Sequence, residues 1–241
     1  MSQIREKIRE IEQKSADAEY IYRGEPECHK DSPYYGKVSS GLWRECMKQI
    51  GDEQFDIGFV DIELVQQAIL KVAKSYSRET DAEFEMMAQL QHYGGKTNFI
   101  DFSTDYLRAL FFACDGSPDK DGRVILLKKT EEMRIKYRIE EPRIPQNRVI
   151  SQKSIFVRPP KGFIEPEHLK VIDFAKHLKE PILHHLKKYH GISTETIYND
   201  LHGFIKNQGI HQTAYIEFYR GIAYQQRGDS ENEDANQNGE L

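Results

Sequence analysis

Apolar positions recur along the chain at two distinct periods. Ile4, Ile8 and Ile11 fall on one stripe at helical spacing, which predicts a first helix over residues 2–19. YIYRGE then alternates bulky residues and reads as a strand ending in an arginine and a glycine. SSGLWREC (39–46) predicts a turn leading into a short helix around the only tryptophan. Residues 61–76 predict a helix with Ile62, Val65, Ala68, Ile69 and Val72 on one face. Thr80 and Glu83 have the spacing of a capping box, opening a helix through FEMMAQLQHY that stops at Gly94-Gly95.

TNFIDF reads as extended, and Ser103, Thr104 or Asp105 can cap the next helix, DYLRALFFAC. That helix is apolar on most sides, which places it inside the domain. RVILLK (123–128) predicts a buried strand, NRVISQKSIFVRPP (147–160) a second β segment, and VIDFA (171–175) a third. The connection before residue 147 is read as polar and free of helix near Pro142 and Pro145. Beyond it, KEPILHHLKKYHG, STETIYNDLHGFIKN and residues 211–226 read as helices. The fold expected is α+β: a single compact domain over 1–226, with a modest mixed or split β-sheet wrapped by helices.

Charge changes the picture mainly at the C-terminus. Residues 227–241 hold five acidic groups and one basic, so this tail accounts for −4 of the net charge of −5. It has almost no apolar residue to bury and is expected to be disordered. The body is near neutral, and clusters such as KKTEEMRIKYR and HHLKKYH read first as solvated helix faces. The mixed charge does not by itself select nucleic acid as a partner. Three widely spaced cysteines and the lack of an apolar leader point to a cytoplasmic protein without a disulfide framework. No apolar run is long enough to cross a membrane.

The densest polar cluster is LQHYGGKTNFIDFSTDYLRALFFAC (90–114), which sets His92, Tyr93, Thr97, Asp101, Ser103 and Thr104 at the junctions of helices and an extended segment. Helix-capping chemistry explains the same residues without any ligand. His184, His185 and His190 lack the spacing of a helical metal pair, so no metal is expected. Cys28 and His29 are neighbours on an extended segment and point apart. No phosphate loop, dinucleotide glycine fingerprint or nucleophile elbow is present.

Tyr22-Arg23-Gly24, then Ser40 to Arg44, then Gln91-His92-Tyr93-Gly94 with Thr97 and Asp101, resemble the FRG domain, a family named for its Phe/Tyr-Arg-Gly triplet. LQHYGGKTNFIDFSTDYLRALFFA matches the family's most specific segment, and Asn147, Arg148, Gln152 and Phe156 its later one. The resemblance spans about residues 18–207. Through this family the chain also resembles, distantly, the ADP-ribosyltransferases, whose early strand carries an Arg or His that grips NAD. Their middle element carries hydroxyl or aromatic residues, and their late strand a catalytic glutamate.

That resemblance implies NAD as substrate and catalytic roles for Arg23, His92, Asp101 and Gln152. NAD would be bound by Arg23, Gly24, His92, Tyr93, Thr97 and Ser103, with Arg23 on the diphosphate and Tyr93 stacked on nicotinamide. The late strand offers Gln152 where a glutamate is expected, and Glu165 and Glu217 lie elsewhere, which leaves Asp101 as the anionic candidate. Asp101 also admits simpler readings, as a helix cap or an ion-pair partner of Arg23. The function implied is an NAD-consuming toxin or phage-defence effector acting on RNA, DNA or protein, held in check by an antitoxin or chaperone. A non-enzymatic module sensing an anionic ligand or phage component competes with it, as does a nuclease using His92. The second triplet, Tyr219-Arg220-Gly221, reads as part of an amphipathic helix with Arg220 on its surface.

Overall fold

The computed structural model describes residues 2–29, 37–50, 60–76, 82–142 and 147–200. The chain divides into two compact units, Met1–Ile197 and Tyr198–Leu241. All elements below belong to the first unit. The helix expected at 211–226, the Tyr219-Arg220-Gly221 triplet and the tail at 227–241 lie outside the described residues.

The chain enters through α1 (Ser2–Lys14), which buries Ile4 and Ile11. β1 (Tyr20–Glu25), β3 (Ile100–Ser103), β4 (Gly122–Lys128), β5 (Ile139–Glu140), β6 (Ser154–Val157) and β8 (Leu169–Phe174) form one sheet in the order β5-β6-β3-β1-β4-β8. Every pairing is antiparallel, so the sheet is open and antiparallel, not mixed in strand direction. β2 (Val38–Ser39) and β7 (Phe163–Ile164) make a separate two-stranded ladder.

The junctions inside the large sheet are unequal. β1 pairs with β4 through six residue pairs, Tyr20↔Lys128 to Glu25↔Arg123, but with β3 only at Tyr22↔Ser103. The sheet is therefore split between β1 and β3 just where the strand reaches Arg23.

Because paired residues share a face, β1 has two different sides. Ile21, Ile125, Leu127, Ile100, Phe102, Ile155 and Val157 join Val38, Tyr137 and Ile164 in one core. Arg23, Glu25 and Arg123 continue that face beyond the core's edge, as the period of two requires. On the opposite face lies α5 (Tyr106–Cys114), capped by Asp105, whose carboxylate accepts from the Leu107 N–H at 2.9 Å. This helix buries Ala109, Leu110, Phe111, Ala113 and Cys114, as its apolar sequence predicts.

Gly24 is the reason α5 can lie so close. A Cβ there would stand 1.8 Å from the Ala109 carbonyl oxygen and 2.5 Å from the Ala113 nitrogen. Gly122 on the neighbouring strand meets the Ala113 carbonyl oxygen in the same way, at 2.1 Å.

Two further clusters complete the unit. α3 (Ile62–Lys74) and α4 (Glu83–His92) pack Leu70, Met86 and Met87 against Phe99 and Phe156. α2 (Gly41–Ile50) packs Leu42 and Trp43 on Ile62 and Phe163. α8 (Lys179–His190), ended by Gly191 in the left-handed region, and the short α9 (Thr194–Ile197) close the described part.

Several expected elements differ. Residues 147–152 form a helix, α7 (Asn147–Gln152), and only Ser154–Val157 extend the second β segment. KKTEEMRIKYR, by contrast, holds the helix its charged face suggests, α6 (Glu131–Lys136), started by Thr130, whose hydroxyl accepts from the Met133 N–H at 3.3 Å. α3 packs Ile62, Val65 and Ile69 of its expected face and buries Gln66 and Leu70 beside them, but leaves Val72 59% exposed. Gln66 turns inward because its Oε1 accepts the Asn98 backbone N–H at 2.6 Å. α4 has Ala82 in the cap position with no side-chain cap, and Thr80 lies outside the described residues. No helix among the described residues is long and apolar enough to cross a membrane.

Candidate functional site

Where β1 and β3 part, Arg23 bridges the opening. Its Nη1 donates to the Asp101 backbone carbonyl at 2.9 Å, and its Nε donates to Glu25 Oε1 at 2.9 Å. Glu25 Oε2 in turn accepts from Arg123 Nε at 2.8 Å, with Arg123 Nη2 at 2.6 Å. One buried carboxylate thus holds two guanidinium groups from adjacent strands, with Glu25 8% and Arg123 2% exposed. Burial by itself would raise the Glu25 pKa, but the charges of Arg23 and Arg123 outweigh it and hold the carboxyl below 4.5.

Two clefts meet at Arg23 and Gly24. The first, about 220 Å³, is lined by Tyr22, Arg23, Asp101, Phe102, Ser103 and Gln152, with Gly24, Phe112 and Ser154 completing it. The second, about 260 Å³, is lined by Arg23, Glu25, His29, Lys37, Arg44 and Arg123, together with Gly24, Pro26 and Ser39.

In the first cleft the residues are fixed by hydrogen bonds to neighbouring segments. The Ser103 hydroxyl donates to the Gln152 backbone carbonyl at 2.8 Å and accepts from the Asp105 N–H at 3.1 Å. This ties β3 to the turn before β6, where Lys153 takes a positive φ of 48°. The Gln152 side chain donates to the Ile197 carbonyl at 3.3 Å.

Asp101 is exposed, and its carboxylate is oriented from α4: Gln91 Nε2 donates to Asp101 Oδ2 at 2.8 Å. Gln91 is oriented in turn by Thr97, which is fully buried and donates from Oγ1 to Gln91 Oε1 at 2.6 Å. Thr97 Oγ1 also accepts the Phe99 N–H at 3.2 Å. The amide orientation of Gln91 is thereby dictated, since only its NH₂ end can serve a carboxylate.

Of the residues singled out in the sequence, the structure brings Arg23, Gly24, Asp101, Ser103 and Gln152 to one cleft. Thr97 lines neither cleft and acts on Asp101 through Gln91. Tyr93 is 63% exposed at the end of α4 and lines neither cleft. The His92 side chain lies outside the described residues, as do those of Asn147 and Arg148. Neither simpler reading of Asp101 holds. Asp105 caps α5, and Arg23 reaches the Asp101 backbone while its charge is paired with Glu25.

Glu25, Arg123, Arg44 and Gln91 carry much of the site and were not assigned roles from the sequence. Glu25 had a readable signal, since two residues after Arg23 on a strand it must share that residue's face. Gln91 and Arg44 stand inside the motifs that carry the FRG resemblance, but no local pattern tells which atoms they serve. Among the described residues, no group of three or more His, Cys, Asp or Glu could hold a metal ion.

No curated protein and no solved structure matches the chain. Residues 18–122 match the family model of the FRG domain, a span running from just before β1 to the start of β4 and including Arg23, Glu25, Gln91, Asp101 and Ser103, and this match supports the FRG family for the chain.

Proposed function

We propose that the first cleft takes NAD and that the chain is an ADP-ribosyltransferase-like effector, acting as a toxin or in phage defence on a macromolecular acceptor. One observation carries this reading: an early-strand arginine, a middle-strand hydroxyl and a glutamine leading into a later strand line one cleft. Arg23 comes from β1, Ser103 from β3 and Gln152 from the end of α7, as its last residue just before β6. The guanidinium of Arg23 supplies N–H donors suited to a diphosphate or ribose oxygens.

In such a transfer the bond between nicotinamide nitrogen and ribose C1 breaks, with its electron pair leaving on nicotinamide. A lone pair of the acceptor forms the new bond at C1, and the acceptor's proton passes to water. Positive charge that develops on the ribose needs a nearby anion. β6, with the sequence SIFV, carries no glutamate, so Asp101, held by Gln91, takes that role.

The test is nicotinamide release and label transfer from labelled NAD, with cellular RNA, DNA or lysate protein offered as acceptor. Asp101→Asn keeps the shape and an acceptor for Gln91 Nε2. It should slow release by roughly 100-fold or more, the order seen when one transition-state stabiliser is removed. Folded wild-type protein that releases no nicotinamide with any acceptor overturns the reading.

A non-enzymatic module that recognises an anionic ligand is the second reading. It is favoured by the concentration of guanidinium groups around Glu25. Saturable ligand binding without any turnover of NAD would decide for it.

A further inference from the structure

The second cleft shares Arg23 with the proposed NAD site but carries further cations that this site does not use. Among the described residues, Arg23, Lys37, Arg44 and Arg123 bring four cationic side chains to its wall, against the carboxylate of Glu25, and the charge of Asp101 also acts on Arg44. Glu25 is already engaged by Arg23 and Arg123. Arg44 enters from α2, and its Nη1 donates to the Ser39 backbone carbonyl and, at 3.4 Å, to the Ser39 hydroxyl. Much of the Arg44 residue is exposed, yet its guanidinium end turns inward. Loss of water there, followed by the nearby charge of Arg23, pushes its pKa down from the usual arginine value.

Confining like charges beside each other is costly unless an anion joins them. Arginines preset by backbone carbonyls keep further N–H donors available for a tetrahedral oxyanion. His29 stands at the same wall with a positive φ of 51°.

We propose that the second cleft is a phosphate-binding subsite in which Arg44 and Lys37 contact the phosphate, while Arg123 fixes Glu25 and so positions Arg23 between the two clefts. The phosphate has two chemical sources: the diphosphate of a dinucleotide entering from the first cleft, or the backbone of a phosphate-bearing acceptor such as RNA. Only the choice of source rests on the NAD reading. The subsite itself rests on the cleft and its four cations.

The experiment is isothermal titration calorimetry on the full chain with three probes: inorganic pyrophosphate, NAD and a ten-nucleotide oligouridylate. Wild-type protein and Arg44→Gln are compared, since glutamine retains an amide donor toward Ser39. Lys37→Gln serves as the second variant, and thermal unfolding of each checks the fold. Pyrophosphate should bind the wild type in the millimolar range or tighter. Its affinity should fall by about tenfold in Arg44→Gln, the loss expected for one charge-assisted hydrogen bond.

If the same fall appears for NAD, the phosphate belongs to the dinucleotide. If it appears for oligouridylate, with a shallower salt dependence in the variant, it belongs to the acceptor. No pyrophosphate binding by the wild type, or unchanged affinity in both folded variants, overturns the subsite. Failure of the NAD reading is seen separately, as absent nicotinamide release by wild-type protein that still binds pyrophosphate.

Discussion

Gly24→Ala is expected to be among the most damaging single-methyl changes in the chain, because the obstacle is backbone. The new Cβ would stand 1.8 Å from the Ala109 carbonyl oxygen, whereas real Cβ contacts essentially never fall below 3.0 Å, so α5 and β1 must part by about 1.2 Å. The Ala113 nitrogen, 2.5 Å away, blocks a sideways escape along the helix. α5 carries five buried residues, and moving it disturbs packing along its whole length. Inserting a methylene into a well-packed core costs about 1–3 kcal/mol. With two backbone atoms in the way and no side chain to swing aside, about 3 kcal/mol is the expected loss. For a chain of this size each kcal/mol lowers Tm by about 2–4 °C, so the expected drop is about 6–12 °C. Differential scanning calorimetry or thermal circular dichroism reads it. Gly41→Ala is the control, since its Cβ would meet only Lys96 Cδ at 3.6 Å, at the first residue of α2. That variant should lose nothing, and alanine's better helix propensity offers up to about 1 kcal/mol. A Gly24→Ala protein melting within about 2 °C of wild type would refute the packing argument. If it also lost ligand affinity, the glycine would be there for the ligand instead.

Other outcomes follow from the same geometry. Glu25→Gln leaves Arg23 and Arg123 without their buried counter-charge and should cost about 3–5 kcal/mol near pH 7. Because the folded pKa of Glu25 lies below 4.5, its contribution is full above that value and is lost as pH falls through the folded pKa. The stability gap between wild type and variant in urea titrations should therefore close in acid, and a gap independent of pH would count against the pairing. None of the three cysteines forms a disulfide, and Cys28 and Cys114 are buried while Cys46 is half-buried. Burial pushes the Cys114 thiol up to about 12, so in native protein an aromatic disulfide reagent at pH 8 should titrate Cys46 first and leave Cys114 untouched. Equal rates for all three thiols would contradict the burial.

What could be read from the sequence was what local chemistry decides. α5 was legible because its apolar character and Asp105 cap lie within a few residues of each other. α7 was misread because Val149 and Ile150 have strand propensity, and the interactions that override it come from afar. The Ser103 hydroxyl takes the Gln152 carbonyl, and Arg108 Nε takes the Ser151 carbonyl, fixing the end of α7 against β3 and α5. Similarly, nothing near Gln66 announces that the Asn98 backbone, 32 residues on, needs an acceptor. That need adds Gln66 to the buried side of α3, beside Ile62, Val65 and Ile69, which pack as their apolar periodicity predicts.

The candidate site divides along the same line. Arg23 was legible from the triplet and Glu25 from strand alternation, but Arg123 is 98 residues beyond Glu25. The pairing of β1 with β4 brings it there, and that register is a property of the whole sheet. The opening between β1 and β3 has the same origin. A sheet continuous at that junction would seal the gap with ladder hydrogen bonds and leave the Arg23 side chain no carbonyl to claim at Asp101. Here the strands share one residue pair, Tyr22↔Ser103, and the guanidinium takes the place of the missing ladder. An anionic ligand arriving at Arg23 must therefore compete with the Asp101 carbonyl or share the guanidinium with it. A ligand that wins that competition removes a side-chain hydrogen bond spanning the split at Asp101, whereas one that shares the guanidinium leaves it in place.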